Sequence, residues 1–301
     1  MKRVALHRGN TFYGVENSLE ALRPDLTEVL RFTNETTFDD NDVVMEIDVI
    51  LKPPFLIRHN TDDKVSDAYI ENILPSDNVL SSSRDQNWSF ENIRSKKPWE
   101  LTEYDISRLK HLPKRGTISE SKPLILKEVL ELAKQKKYRL YLDVKLPNYT
   151  LNELSNYVTL YHDTKEMMRI IAEYAKYGVI DCVVSFSFLA SVLIKFFNTV
   201  ASSTDKIRQG VFCWEVFGLH SRMSNVLNTI YMYFVRMIIH PIVVSYSIRL
   251  VKRYPHYLNM MGVTDIKNRY VWSIHKTKLG EMTDFLDTNN LTAVVDTFDI
   301  K

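Results

Sequence analysis

Residues 42–49 read DVVMEIDV, a short run of Val, Met and Ile that carries two acidic residues near its end. Similar runs, rich in Val, Ile and aromatic residues, recur along the chain and are separated by longer stretches with helical spacing. This alternation is typical of repeated βα units and a parallel sheet. The eight runs are RVALH (3–7), DVVMEIDV (42–49), RLYLDVK (139–145), DCVVSFSF (181–188), GVFCWEV (210–216), PIVVSYS (241–247), RYVWSIH (269–275) and LTAVVDTF (291–298). Eight is the number that a closed barrel needs, so the sequence predicts an α/β fold of the (β/α)₈ TIM-barrel type.

The bulk composition is consistent with one barrel domain spanning residues 1–301, because 45% of the 301 residues are hydrophobic. The charges nearly balance, with 39 Lys and Arg against 37 Asp and Glu, and this leaves no global field that would attract nucleic acid. Cys182 and Cys213 lie in separate apolar runs and are predicted to be buried, inert thiols. The first residues contain no apolar stretch of signal-peptide length, so we expect an intracellular protein, cytoplasmic or peripherally membrane-associated.

Two segments depart from the regular pattern and are predicted to be loop insertions, at about 64–98 and 216–240. The first is rich in Ser, Asp and Asn, and the second is much more apolar. Helix signals elsewhere are strongest in residues 123–135 and 151–178. A further helix is predicted from Asn17, which with Glu20 forms a cap-and-box pair.

Polar residues suited to proton transfer and ion binding lie at the predicted carboxyl ends of the first strands, where barrel enzymes place reactive groups. The first run ends in His7 and is followed by Arg8. In the second run Glu46 and Asp48 are two residues apart, so an extended backbone points both carboxylates to one face. Adjacent carboxylates repel unless a cation lies between them. The pair therefore predicts a hard divalent ion with oxygen ligands.

The chain after the second run and the third run both add to this site. If the two prolines of LKPP (51–54) form a turn, an antiparallel return sets His59 opposite Asp48. In the third run Asp143 and Lys145 share a face, offering a further acidic ligand and a fixed cation for phosphate. Taken singly, each group could be a solvated strand end, a surface ion pair or a loop histidine. Their coincidence at neighbouring strand ends favours a site that cleaves phosphodiesters.

These motifs resemble those of the glycerophosphodiester phosphodiesterase family. The segments that carry the resemblance are HRG (7–9) followed by EN (16–17), ExD (46–48) with the later His59, the acidic-x-Lys strand (143–145), PWELTEYDISRLKHL (98–112), VVSFSF (183–188) and YVWSIHK (270–276). Asp rather than Glu at position 143 is most similar to the fungal phosphatidylglycerol phospholipase C branch and to the sphingomyelinase D relatives. Three features depart from the family pattern, namely Asn60 in place of Asp, His275 in place of Asn, and VVDTF (294–298) in place of Thr-Asp followed by Arg-Pro.

The resemblance implies a metal-dependent phosphodiesterase that hydrolyses glycerophosphodiesters or glycerophospholipids, with phosphatidylglycerol as a candidate substrate in a phospholipase C-like reaction. It implies one divalent cation, Mg²⁺ or Ca²⁺, and acid–base catalysis by two histidines. The assigned residues are Glu46, Asp48 and Asp143 as metal ligands, His7 and His59 as acid and base, Arg8 and Lys145 as phosphate ligands, Glu16 as support for the loop that carries His7, and Trp272 in the substrate pocket.

Other functions remain open at this point. A lysophospholipase D or sphingomyelinase D-like enzyme would use similar residues, and a non-catalytic barrel could bind a glycerophosphate or a lipid headgroup. The segment 226–244, VLNTIYMYFVRMIIHPIVV, is too interrupted to span a bilayer. It is either an ordinary buried barrel helix or a peripheral membrane contact that sets aromatic residues beside Arg222 and Arg236. We expect no protein or nucleic acid partner.

Overall fold

The computed structural model describes residues 3–9, 17–19, 21–22, 43–58, 90–111, 124–147, 154–200, 207–214 and 222–296. All eight predicted runs contain a strand. The strands are β1 (Val4–Leu6), β2 (Val43–Ile50), β3 (Arg139–Lys145), β4 (Ile180–Ser185), β5 (Gln209–Cys213), β6 (Val243–Ser247), β7 (Arg269–His275) and β8 (Thr292–Asp296). Each strand pairs in parallel with the next, and β8 pairs with β1, so the sheet closes in sequence order. The predicted (β/α)₈ barrel is confirmed.

Nine α-helices lie within the described residues, and most of them fill the connections between strands. They are α1 (Phe90–Ser95), α2 (Glu103–His111), α3 (Leu126–Lys136), α4 (Leu154–Ala175), α5 (Phe188–Val200), α6 (Arg222–Ile239), α7 (Ile248–Arg253), α8 (Tyr257–Met260) and α9 (Leu279–Thr288). Short 3-10 turns occupy Pro98–Glu100, Ile266–Asn268 and Lys276–Lys278. Helices α3 and α4 confirm the predictions for 123–135 and 151–178. Within the described part of the chain, no helix is long and apolar enough to cross a bilayer.

The two faces of each strand have different surroundings, as β3 illustrates. Leu140, Leu142 and Val144 pack into the large core between the barrel and its helices. Tyr141 belongs instead to a cluster inside the barrel. Because side chains alternate along a strand, Asp143 shares the inward face with Tyr141. This alternation directs the acidic residues into the barrel.

The amino-terminal end of the barrel is filled by a buried ionic cluster around Asp181, the second residue of β4, which is inaccessible to solvent. Its carboxylate lies 2.5 Å from Arg3 and from Arg208 and 2.9 Å from Arg139. The hydroxyl of Tyr270 donates a hydrogen bond to the same carboxylate. Side chains from β4 and β7, from the start of β3, and from the residues just before β1 and β5 thus occupy the floor of the barrel.

The two predicted insertions have different outcomes. Residues 64–89 of the first lie outside the described residues, and residues 90–95 near its end form α1. Within the described residues the second is not an irregular loop, because residues 222–239 form α6, the helix between β5 and β6. The segment is rich in apolar residues because one face of α6 packs on the barrel and further apolar residues of the same helix are exposed.

Candidate active site

The turn after β1 brings His7 to the carboxyl end of the barrel. Arg8 and Gly9 both have left-handed backbone angles, with φ of 56° and 86°. A Cβ atom at Gly9 would lie 2.9 Å from the carbonyl oxygen of Ala21, so glycine fits this position. The turn is fixed to β2, because the backbone N–H of Arg8 donates to Oε2 of Glu46 at 2.7 Å. The HRG sequence therefore places His7 beside an acidic residue of the next strand.

Three buried carboxylates form the centre of the site. Glu46 and Asp48 lie on β2, and Asp48 is in register with Asp143 on β3. One carboxylate oxygen from each residue lies within 4.8 Å of the others. Oδ1 of Asp143 is buried and accepts no hydrogen bond from the described residues. A buried oxygen of this kind needs a proton or a cation, and three carboxylates are a suitable donor set for a hard divalent ion.

The pKa values of these acids reflect their burial and their crowding. Burial and the neighbouring Asp48 raise the pKa of Glu46 to about 8. Burial also raises the pKa of Asp143 to about 6, although the adjacent Lys145 opposes the rise. Burial lowers the pKa of Lys145, but Asp143 and Asp48 outweigh it and raise the net value. A cation bound among the carboxylates would favour their ionised form.

Both predicted phosphate ligands lie beside the carboxylates. Nζ of Lys145 is 2.5 Å from Oδ2 of Asp143 and 3.1 Å from Oδ1 of Asp48. Nε of Arg8 is 3.5 Å from Oδ2 of Asp48. Both cations line the cavity at this end of the barrel. They offset part of the negative charge and give the cavity wall two cationic groups.

Asn17 has a role that sequence reasoning missed. Its side-chain amide donates to Oδ2 of Asp48 at 2.9 Å, and its Oδ1 accepts from the backbone N–H of Asp48 at 3.1 Å. The prediction that Asn17 caps a helix was wrong. Asn17 has a left-handed backbone conformation, and its side chain is hydrogen-bonded to Asp48. Ser18 instead accepts a bond from the N–H of Ala21 at 3.2 Å. Glu16, predicted as a supporting residue, lies outside the described residues.

The return of the chain after β2 is antiparallel, as predicted, but its register differs by one residue. The N–H of Arg58 donates to the carbonyl of Asp48 at 3.0 Å, and the preceding bridge has the same register. Residues 51–55 form the connection, so an odd number of residues separates the paired segments. Arg58 rather than His59 is therefore opposite Asp48. His59 itself lies outside the described residues, and its role as acid or base stays a prediction.

His7 is held by a carboxylate from the far end of the sequence. Its Nδ1 contacts Oδ1 of Asp296, the last residue of β8, and its Nε2 lies 3.9 Å from Oε2 of Glu46. Burial lowers the pKa of His7, but Glu46 and the hydrogen bond to Asp296 outweigh it and raise the net value. Sequence reasoning noted VVDTF (294–298) only as a departure from a family pattern. The pairing of β8 with β1 brings Asp296 to His7.

The site opens into a cavity with charged and aromatic side chains in its wall. The lining residues are His7, Arg8, Glu46, Tyr141, Asp143, Lys145, Phe186, Phe212, Trp272 and Val294. The rings of Phe186 and Phe212 stack with centroids 3.7 Å apart, and Trp272 meets both rings edge-on. Trp272 was predicted to lie in the pocket, and the structure brings it there.

Two buried donors in this cavity form no hydrogen bond of good geometry with the described residues, although Ser245 is a polar neighbour of one of them. They are the hydroxyl of Tyr141 and Nε1 of Trp272. Burial raises the pKa of the Tyr141 hydroxyl well above its ordinary value, so it stays a protonated donor. Buried polar groups are normally hydrogen-bonded, so these two atoms are suited to oxygen atoms of a bound molecule. Tyr141 was not predicted, because an aromatic residue inside a strand is ordinary core.

Comparison with known proteins identifies the fold. No protein-family model matches the sequence, and no curated protein matches it. The structure matches a provisionally assigned glycerophosphoryl diester phosphodiesterase from Silicibacter pomeroyi DSS-3, with a TM-score of 0.57, 11% identity and coverage of 98% of this chain and 89% of that one. A similarly described protein from Agrobacterium tumefaciens str. C58 matches with a TM-score of 0.52, 12% identity and coverage of 98% and 93%. Likeness at this level of identity shows the fold.

Proposed function

We propose that this protein is a metal-dependent phosphodiesterase of the glycerophosphodiester phosphodiesterase family, with residues 1–301 as one catalytic domain. The observation that carries the proposal is the buried group of Glu46, Asp48 and Asp143 beside His7. The likeness in fold to two proteins described as glycerophosphoryl diester phosphodiesterases supports it. The substrate class would be glycerophosphodiesters or glycerophospholipids.

The three acids would hold one divalent cation, Mg²⁺ or Ca²⁺. The unsatisfied Oδ1 of Asp143 and the raised pKa of Glu46 fit such a group. When bound, the cation would neutralise charge at a phosphate oxygen. Lys145 and Arg8 would bind the remaining phosphate oxygens, since charge-assisted donors suit phosphate. Asn17 would hold Asp48 in position through its two hydrogen bonds.

His7 would move a proton at Nε2. Its Nδ1 is engaged by Asp296, which fixes the tautomer and leaves Nε2 directed towards the acidic group. A proton transfer of this kind is worth about 10²- to 10⁴-fold in rate. The second acid or base is assigned to His59, and support of the His7 loop to Glu16, on the resemblance of the sequence motifs alone.

The substrate would lie against the aromatic part of the cavity wall. The hydroxyl of Tyr141 and Nε1 of Trp272 would donate to its oxygen atoms, because both are buried donors that form no hydrogen bond of good geometry with the described residues. Phosphatidylglycerol, cleaved as by a phospholipase C, is the candidate lipid. A phospholipid resides in a bilayer, so the proposal includes a peripheral membrane contact for which the segment 226–244 is the candidate.

The products of a substrate panel test this function against its alternatives. The purified protein is incubated with glycerophosphocholine, phosphatidylglycerol, lysophosphatidylcholine and sphingomyelin, each with Mg²⁺ or Ca²⁺. Glycerol 3-phosphate with choline from glycerophosphocholine, or a glycerol phosphate with diacylglycerol from the lipid, supports the proposal. Lysophosphatidate or ceramide 1-phosphate supports the lysophospholipase D or sphingomyelinase D-like alternative. Binding of these molecules without any product supports a non-catalytic barrel, a function that has no need for a histidine held by a carboxylate beside three acids.

A further inference from the structure

Helix α6 has an unusual outer surface. Between residues 223 and 239, every exposed side chain except Arg236 is apolar. Ile230 is 60% exposed and Met237 is 65% exposed. A surface helix of a globular protein ordinarily presents charged and polar residues on this side. We call these exposed apolar side chains the outer stripe of α6. Their exposure favours contact with a partner or with an apolar environment.

The outer stripe is not needed to hold α6 on the barrel. The opposite face of the helix is buried through Met232, Val235 and Ile239. Tyr231, one of the aromatic residues of the segment 226–244, packs partly buried against this core. Residues 243–244, predicted as part of the membrane-contacting segment, belong to buried β6. The exposed surface is thus confined to one side of α6.

Helix α5 extends this surface. Phe196 is 49% exposed and Val200 is 65% exposed. The two helices are in contact, because Phe188 stacks on Phe234 with ring centroids 5.5 Å apart. Nζ of Lys195 also donates to the carbonyl of Ile238 at 2.8 Å. We call the exposed apolar side chains of these two helices the α5–α6 face.

The charge of this face has one sign. Neither helix contains Asp or Glu. Lys195 donates to a backbone carbonyl, and Nη1 of Arg236 donates to the carbonyl of Met260 at 2.6 Å. Within the described part of the chain, neither cation is paired with a carboxylate. Apolar side chains beside such cations complement an anionic lipid surface. A two-fold dimer through this face would instead bring the same cations of two copies together without acids to pair them.

The face also lies near the open end of the barrel. Phe188 begins α5 after a two-residue connection from β4, yet it packs against Phe234, which is well inside α6. The far end of α6 is near the start of β5, since Nε2 of Gln209 donates to the carbonyl of Ile239. About three turns of α6, roughly 16–18 Å at 1.5 Å per residue, therefore extend beyond the start of α5 on the active-site side. Tyr257 of α8 fixes this part through a bond to the carbonyl of Asn225 at 2.9 Å.

We propose that the α5–α6 face docks the protein on an anionic phospholipid bilayer, with Met223, Val226 and Ile230 entering the interface closest to the barrel mouth. The proposal rests on the exposed apolar side chains of this face and on its cations, since neither helix contains an acidic residue. The further step, in which docking brings a phospholipid headgroup to the active site, rests on the proposed function.

Vesicle flotation with chelator present tests the docking without turnover. Wild-type protein should bind vesicles of phosphatidylcholine with 30 mol % phosphatidylglycerol more tightly than vesicles of phosphatidylcholine alone. The double variant Ile230→Gln/Met237→Gln should bind the anionic vesicles about tenfold more weakly or worse, because two apolar side chains no longer enter the interface. Tyr104→Gln, at an exposed residue of α2, is the matched control and should bind like the wild type. Equal thermal unfolding of all three proteins shows that the fold is kept.

Two results would overturn the docking. One is equal binding of the wild type and the double variant to the anionic vesicles, including no binding by either. The other is a dimer in light scattering that the double variant abolishes, which would assign the face to a second copy of the chain. Hydrolysis of soluble glycerophosphocholine separates this inference from the proposed function. The double variant should keep that activity, and a wild type that docks but hydrolyses nothing would retain the docking while the proposed function fails.

Discussion

Nδ1 of His7, at the end of the first strand, contacts the carboxylate of Asp296, at the end of the last strand. The contact exists because β8 pairs with β1 and closes the barrel. It leaves Nε2 of His7 directed towards Glu46 and the other acids. Asp296 therefore acts on the site through the histidine and does not border the cavity itself.

Asp296→Asn should lower kcat for glycerophosphocholine while leaving KM within about twofold. The amide no longer favours the tautomer with a proton on Nδ1, so fewer molecules carry a competent Nε2. The loss should exceed about tenfold and stay below that of His7→Ala, which removes a proton transfer worth about 10²- to 10⁴-fold. Steady-state kinetics measure both constants. Asp284→Asn, at an exposed position of α9, is the control, and a rise in KM with unchanged kcat in Asp296→Asn would contradict the positioning role.

Mg²⁺ or Ca²⁺ should raise the melting temperature of the wild type and leave that of Asp143→Asn nearly unchanged. The cation relieves the crowding of three buried carboxylates, and the variant removes one of them. Thermal unfolding with chelator and then with added metal measures the effect. An equal upward shift in both proteins would assign the metal to another site.

The stabilisation by metal should grow between pH 6 and pH 8. The pKa of Glu46 is raised to about 8 and that of Asp143 to about 6, mainly by burial. A carboxyl group with a raised pKa contributes stability below its unfolded pKa, about 4, and loses that contribution as the pH rises through its folded pKa. The metal-free protein should therefore weaken towards pH 8, where fewer protons compete with the cation. Melting temperatures at pH 6, 7 and 8 measure this, and a shift that shrinks as the pH rises is the contrary result.

Tyr141→Phe should raise KM by about two- to tenfold and change kcat little, because one neutral hydrogen bond is worth about 0.5–1.5 kcal/mol. The melting temperature should change little, since the hydroxyl forms no hydrogen bond of good geometry with the described residues, including its neighbour Ser245. Kinetics with glycerophosphocholine and thermal unfolding measure the two effects. A large loss of stability with unchanged KM would make Tyr141 a structural residue only.

Asp181→Asn should lower the free energy of unfolding by about 3–5 kcal/mol, because it leaves the buried Arg3 and the partly buried Arg139 and Arg208 without their counter-ion. Glu166→Gln is the matched control, since Glu166 pairs with Arg169 on an exposed helix surface. That change should stay within about 0.5 kcal/mol. Denaturant unfolding measures both values. Similar losses in the two variants would contradict the structural role of the buried cluster.

The barrel could be predicted from sequence because its strands are buried on both sides and read as apolar runs. The acids and Lys145 could be predicted for a related reason. Residues two apart on a strand share a face, so Glu46 with Asp48 and Asp143 with Lys145 follow from local geometry. The structure brings all four of these residues together with His7 and Arg8.

Other parts of the site depend on contacts that no local pattern contains. Asp296 is 289 residues from His7 in sequence, and only the closure of the barrel joins them. Asn17 has the composition of a helix cap, and only its contact with Asp48 distinguishes it. The hairpin register depends on whether the turn holds an even or an odd number of residues, so the prediction placed His59 where Arg58 lies. The outer stripe of α6 was predicted as apolar, but its exposure depends on which face packs on the barrel.

The central claim is that the buried acids hold a cation used to hydrolyse a phosphodiester. The most direct measurement is release of glycerol 3-phosphate from glycerophosphocholine by chelator-treated wild type, His7→Ala and Asp143→Asn, before and after addition of Mg²⁺ or Ca²⁺. We predict that added metal restores turnover in the wild type and in neither variant, while all three proteins remain folded. Turnover that survives chelation, or equal turnover in wild type and Asp143→Asn, would contradict the claim.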